Sequence, residues 1–384
     1  MHVLWTPSWY PSEEHPNNGS FFLEQLQMLK GSGIKCGVIW VETKSLGQRK
    51  APLEVCEADI PLIHNSMWLV PKGILPFDAK TIARKSLEAA KLYEQKYGKP
   101  DVIHAHSVWP GVIVAQTLSE YWQIPYGLTE HRPSSLEAEK GTFRAKAIQK
   151  AVEAASFTVT VSDGMSEKLD KYYGLTGTQT VALPVRDEFF AAPLHAPQED
   201  GFVFVHISNL DDNKRTEFTL EVFQKIHAQQ PNLRLHIVGG AAQRVMELKD
   251  LVQRMELSEA VTFTGQVDRE QIIFEINSGD CMILVSALEA GGTVFAEATS
   301  LGIPSIASAT FGGSYMIRKE NGIVVAIDDA EELEAAMNEI QRRYAQDSQL
   351  NAHIREYGST RFTEKIFVTR HKEIYEAAIK GAEF

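Results

Sequence analysis

The sequence is short of the features that would cross a membrane, staple a fold or grip nucleic acid. No apolar run approaches the roughly 18 residues needed to span a bilayer. The opening Met1-His2-Val3-Leu4-Trp5 lacks the basic segment and long apolar core of a secretion signal, so a cytoplasmic protein is expected. Its three cysteines, Cys36, Cys56 and Cys281, stand far apart, which argues against a disulfide framework and gives no metal-ligand spacing. Positive charge is outnumbered, 38 Lys+Arg against 50 Asp+Glu for a net −12, and the excess acid falls almost wholly after residue 190. Nucleic acid is therefore an unlikely partner, because such binding relies on clustered positive charge. One local exception is residues 72–99, where Lys72, Lys80, Arg84, Lys85, Lys91, Lys96 and Lys99 outnumber Asp78, Glu88 and Glu94. That stretch reads either as a contact with an anionic acceptor or the inner membrane surface, or as a solvated helix face.

What is present is a βα rhythm, repeated twice over 384 residues with an ordinary apolar fraction of 44%. In the first half "HVLWT", "KCGVIWV", "DVIHAH", "YGLTE" and "FTVTVS" read as strands, separated by helices such as Phe21–Lys30, Ala79–Tyr97 and Thr142–Ala155. "PLHAPQEDG", residues 193–201, gathers proline and polar residues and predicts a boundary between domains 1–192 and 193–362. A second series follows: "FVFVHIS", a helix Thr216–Gln229, "LRLHIVG", a helix Ala242–Met255, "VTFTG", a helix Arg269–Asn277, "CMILV" and a helix Thr293–Leu301. The fold class is α/β, two doubly wound parallel sheets.

Chemistry collects beyond the carboxyl ends of such strands. "SALEAGGTVFAEATSLGIP", residues 286–304, places Glu289 before a helix start and Glu297 within it. A helix opening at Gly292-Thr293 offers backbone N–H groups to an anion, and an acid one turn in suits ribose hydroxyls. Together they describe a site for a nucleotide-linked ligand; a glycine-rich turn beside a surface glutamate is the equally weighted alternative. Lys214, after the first strand of this half, is placed to meet a diphosphate as a point charge, or simply to face water. Gly240, Gly265 and Val267 follow the second and third strands on the same edge.

The spacing of Glu289 and Glu297 ahead of "ATSLGIPSIAS" resembles the signature of retaining glycosyltransferases of the family 4 type, which have GT-B architecture. "NNGSFFLEQLQMLKGSGIKCGVIWV", "DVIHAHSVWPG", "TEH", "VSDGM" and "RFTEKIFVTRHKEIY" fall in that family's order over nearly the whole chain. The resemblance implies two Rossmann-like domains facing across a cleft, with residues 363–384 forming a helix that crosses back to the first. It implies Glu289 beside the transferred sugar, Lys214 neutralising the leaving diphosphate, and His131 reaching the donor sugar or acceptor hydroxyl. Gly292 and Thr293 would hold the diphosphate, Glu297 the ribose, and Gly19 with Ser20 would approach the phosphates from the other domain. Base recognition would use backbone near Gly240 and Gly265. His104 and His106 match the family's His-x-His, with a core role as open as a catalytic one.

No metal and no resident cofactor are implied. The donor would be a nucleoside diphosphate sugar, UDP- or GDP-linked, and the acceptor a carbohydrate or lipid-linked molecule in surface polysaccharide synthesis. Departures leave rivals open. Asn209 stands where an arginine is usual, Ala290-Gly291-Gly292 where Gly-Phe-Gly is usual, and Met316 where a glutamate is expected. A nucleotide-sugar epimerase of the same architecture and a catalytically weakened nucleotide-binding homologue remain alternatives. Trp9, Tyr10 and Trp109 read as acceptor contacts or as seals on loop packing.

Overall fold

A computed structural model describes residues 1–12, 18–69, 77–137, 141–197 and 201–381. Contacts divide the chain into one unit of Met1–Val181 with Phe367–Phe384, and another of Ala182–Ile366.

The first unit is built on an eight-stranded sheet: β1 His2–Pro7, β2 Lys35–Lys44, β3 Glu54–Cys56, β4 Leu62–Trp68, β5 Val102–His106, β6 Tyr126–Glu130, β7 Phe157–Thr160 and β8 Gln179–Thr180. Its order is β3-β4-β2-β1-β5-β6-β7-β8, parallel except for the β3–β4 pair at one edge. Apolar residues leave β1 and β2 on both faces, as a sheet covered twice requires. Leu4, Ile39 and Val41 pack with Ile82, Tyr93, Leu118 and Ile148 of the helices Phe77–Tyr97, Ile113–Trp122 and Phe143–Glu153. Val3, Trp5 and Val38 pack with Phe22 and Leu26 of the helix Ser20–Gly31 and with Phe367, Ile374 and Tyr375 of the helix Glu364–Lys380. Gly37 allows one of these approaches, since a Cβ there would collide with the Tyr93 hydroxyl.

Strand β4 escapes the sequence reading because "HNS" interrupts its apolar run. Those three side chains are nevertheless buried. Asn65 Nδ2 donates to Lys85 O at 3.1 Å, Ser66 Oγ donates to Ala51 O at 2.7 Å, and His64 Nδ1 pairs with Glu54 at 2.8 Å. Polar groups satisfied in this way can sit in a covered strand.

The second unit holds six parallel strands, β9 Phe202–Ile207, β10 Leu233–Val238, β11 Val261–Gly265, β12 Cys281–Leu284, β13 Ser305–Ser308 and β14 Gly322–Val325, in the order β11-β10-β9-β12-β13-β14. The reversal between β9 and β12 is the switch point at which ligands bind open α/β sheets.

The boundary lies earlier than the proline-rich stretch suggests. Residues 182–192 belong to the second unit because Val185 N–H donates to Phe362 O at 2.8 Å, while Phe189 is fully buried in a cluster with Phe362 and Leu301. Residues 193–197 stay attached too. His195, 4% exposed, bonds Asn277 O through Nδ1 at 3.1 Å and the Asp280 carboxylate through Nε2 at 3.0 Å. Among the described residues no helix is long and apolar enough to cross a membrane. In the basic stretch Arg84 and Lys85 pair with Glu88, and Lys96 pairs with Glu57; Lys72 lies outside the described residues.

Candidate active site

The carboxyl edge of the second sheet gathers most of the residues singled out in that half. After β9 the chain makes a short turn that ends in Arg215 at φ 54°, bringing Lys214 back over the edge. Lys214 Nζ donates to Glu289 Oε2 at 2.8 Å, each side chain less than one-fifth exposed. Asn213 fastens the two loops together. Its Oδ1 accepts from Leu288 N–H at 2.9 Å, its Nδ2 donates to Leu288 O at 3.0 Å, and its carbonyl accepts from Ala287 N–H at 2.8 Å. Nothing in "DDNKR" marks Asn213 apart from its place beside Lys214, and sequence reasoning passes over it.

Glu289 is held from the other side as well. Gly312 N–H donates to its carbonyl at 2.8 Å, and a Cβ on Gly312 would come within 3.0 Å of Glu289 Cγ and 2.9 Å of the Ala290 carbonyl carbon. In the turn that follows, Ala290 is partly buried and Gly291 buried. Gly292 caps the helix Thr293–Leu301 in a left-handed conformation, φ 61° and ψ 58°, with no side chain closing the helix end. Its first-turn N–H groups are thus directed outward, the arrangement that attracts an anion.

Glu297 is 2% exposed, deeper than a surface glutamate, and Arg269 Nη2 lies 2.5 Å from its Oε1. Arg269 comes from the loop after β11, the loop that carries Gly265 (φ 79°) and the half-buried Val267. No sequence signal distinguishes this arginine. Gly240, φ 79°, sits over Leu210, whose Cδ1 a Cβ would meet at 2.6 Å. Asn209 is exposed and donates to Asp211 Oδ2 at 2.9 Å, so it neutralises nothing. Met316 is fully buried in an apolar cluster with Phe295 and Ile317, which gives a carboxylate no place at that position.

The first unit brings a different set together. Glu130, at the end of β6, is fully buried and gathers four donors: Ser107 Oγ at 2.8 Å, Val108 N–H at 2.9 Å, and the N–H groups of His131 and Arg132, both at 2.8 Å. Burial holds its carboxyl above the usual range, although the Arg132 N–H, Ser107 hydroxyl and Val108 N–H pull it down. The result fixes the loop carrying His131. His131 Nε2 stands 3.0 Å from His106 Nδ1. Burial, with the Arg132 charge alongside, lowers His131 to about 3, and burial holds His106 well below the usual histidine range. Both rings are therefore neutral near pH 7.

His104 is a core residue: Nδ1 meets the Tyr375 hydroxyl and Nε2 the Thr129 hydroxyl, both at 2.7 Å. Gly19, φ 80°, precedes Ser20 at the start of its helix, and a Cβ there would meet Trp9 Cδ1 at 2.8 Å. The aromatic candidates pack against neighbours within the first unit. Tyr10 is buried, Trp9 lies under the Arg132 guanidinium at 3.7 Å, and Trp109 under that of Arg144 at 4.4 Å.

Comparison with known proteins places the chain among glycosyltransferases. Residues 187–361 match the family model "Glycosyl transferases group 1", and residues 23–184 match "Glycosyltransferase Family 4". A Bacillus subtilis protein named for teichuronic acid biosynthesis, the glycosyltransferase TuaC, is 27% identical over 88% of each chain. Mycobacterium tuberculosis glycogen synthase is 23% identical over 78% of this chain and 74% of its own. Among solved structures, sucrose-phosphate synthase from Thermosynechococcus elongatus has a TM-score of 0.73 at 20% identity, covering all of both chains. Anabaena HepE, solved with UDP, has a TM-score of 0.74 at 16% identity, covering 98% of this chain and 100% of its own.

Proposed function

The chain belongs to the group 1 glycosyltransferases of GT-B architecture, and from that premise we propose that it moves a sugar, with retention of anomeric configuration, from a nucleoside diphosphate sugar to a carbohydrate or lipid-linked acceptor in surface polysaccharide synthesis. The observation that carries this reading is the Lys214–Glu289 pair beside the open helix end at Gly292. In it the donor's diphosphate accepts from the N–H groups of Gly292 and Thr293 and meets the Lys214 ammonium. Glu297 takes the ribose once Arg269 gives way. Glu289 lies against the transferred sugar.

The acceptor hydroxyl oxygen forms its bond to the anomeric carbon as the bond from that carbon to the diphosphate oxygen breaks. The hydroxyl proton passes to the leaving phosphate on the same face of the sugar, so no protein base is needed. The protein supplies position and a fixed positive field where charge grows. The nucleotide sugar is a substrate, with no resident cofactor or metal in the scheme. A uridine donor is favoured by the UDP seen with Anabaena HepE, and a surface polysaccharide acceptor by TuaC. Peripheral contact with the inner membrane surface has the exposed Phe77 and Lys80 in its support; co-sedimentation with anionic vesicles tests it.

The donor site is tested by thermal shift with UDP, GDP and ADP and their sugars, because a ligand that binds only the folded state raises Tm by an amount that grows with the logarithm of its concentration above Kd. One nucleotide series is expected to stabilise the wild type, and Glu297→Ala is expected to remove that shift. Unchanged calorimetric affinity in Glu297→Ala would reject the ribose contact.

A further inference from the structure

The two histidines at the ends of β5 and β6 form an asymmetric pair. His106 is 1% exposed and wedged among aromatic rings, with Trp5 at 3.8 Å between centroids, His104 at 4.3 Å and Phe22 at 5.0 Å. Its Nδ1 meets His131 Nε2 at 3.0 Å, and its Nε2 is sealed from solvent with no hydrogen-bond partner among the described residues. His131 is only partly buried, and its Nδ1 makes no hydrogen bond to a described residue.

A neutral imidazole carries one proton, so the pair has two arrangements. If His131 donates from Nε2, His106 must carry its proton on the sealed Nε2 and leave a buried N–H orphaned. If His106 donates from Nδ1, the sealed atom is a bare acceptor. Orphaned buried N–H groups are the rarer of the two in folded proteins. The second arrangement also decides the outer ring: with Nε2 accepting, His131 carries its proton on Nδ1.

We propose that His106 is a positioning residue that fixes the tautomer of His131, making His131 a hydrogen-bond donor through Nδ1–H to an oxygen of the substrate. A ring so fixed cannot take a proton from the acceptor hydroxyl through that atom. It suits a sugar hydroxyl or a phosphoryl oxygen and discriminates against a ligand that offers only a donor there. The identity of the substrate rests on the transferase reading above; the tautomer does not.

The test is 15N NMR of the full chain with labelled histidine at pH 7, followed by variants. In the wild type, His131 is expected to show a bare Nε2 and a protonated Nδ1. His106→Leu is expected to release the ring to the other tautomer and to lower kcat for UDP release from UDP-glucose about tenfold or more, with KM little changed. His106→Asn places an amide nitrogen near the position of Nδ1, and it is expected to restore both the spectrum and most of the rate. A wild-type spectrum with His131 protonated at Nε2 overturns the proposal, because His106 would then be donating its sealed N–H to the Phe22 or Trp5 ring. So does a folded His106→Leu protein that keeps both the wild-type tautomer and the wild-type rate. If His106→Leu does not fold, the wild-type and His106→Asn spectra decide. Failure of the wild type to release UDP counts against the donor reading alone.

Discussion

The Tyr375 hydroxyl lies 2.7 Å from Nδ1 of His104, 271 residues earlier in the chain, and accepts from Trp5 Nε1 at 3.2 Å. All three side chains are fully buried. This ties the helix Glu364–Lys380 to the middle of the first sheet by polar contacts as well as by packing. Tyr375→Phe keeps the ring and strands both partners. It is expected to lower stability by about 1–3 kcal/mol, the usual range for leaving a buried polar group unpaired, read as a lower urea midpoint with unchanged m-value.

Lys214 is assigned to the departing diphosphate. Lys214→Ala is expected to cut turnover about 100-fold, in line with the removal of one preorganised charge-stabilising group, with an unaltered circular dichroism spectrum. Unaltered steady-state rates would take Lys214 out of the mechanism.

At position 292 two costs coincide. The backbone is left-handed, and a Cβ would lie 2.6 Å from Phe295 Cδ2. Gly292→Ala is expected to lower Tm by several degrees and to abolish nucleotide-induced stabilisation. Gly31, with open space around its Cβ position and ordinary helical backbone, is the control. Gly31→Ala is expected to leave Tm unchanged or slightly raised. A Gly292→Ala protein as stable as wild type would show that the turn can reshape.

Acid should weaken both units. Burial lowers His371 to about 4 and His131 to about 3 in the first, and His206 to about 3 in the second. In the unfolded chain each titrates near 6.5. Above that pH both states are neutral and stability is full. As pH falls toward 4 the unfolded chain binds protons that the folded one refuses, a loss of at most about 1.4 kcal/mol per histidine per pH unit. Urea midpoints at pH 7.5, 6.0 and 5.0 are expected to fall in that order; a flat series would mean that these rings are protonated in place.

Much of this was legible in the sequence. The helices Thr216–Gln229 and Thr293–Leu301 run as the pattern predicts, because apolar periodicity and flanking turn residues agree there. Strand β4 was not legible, since its polar residues are satisfied only by distant partners such as Lys85 and Ala51. The boundary is displaced for a similar reason. Proline and polar residues mark 193–201 as loop, but nothing local says that His195 will dock on Asp280, 85 residues later. In the site, motif residues such as Glu289 and Gly292 announce themselves. Asn213, Arg269, Glu130 and His106 act through contacts 22 to 75 residues away in sequence or through a sealed nitrogen, and composition carries no trace of such pairings.

Because the first unit is completed by residues from Phe367 onward, its synthesis is interrupted by that of the whole second unit, about 185 residues. At a ribosomal rate of roughly 5–20 residues per second, the nascent first sheet waits on the order of 10–40 seconds for the helix that covers Trp5 and Val38. During that interval an apolar face is open on a growing polypeptide, and chaperone engagement should end when the final helix emerges.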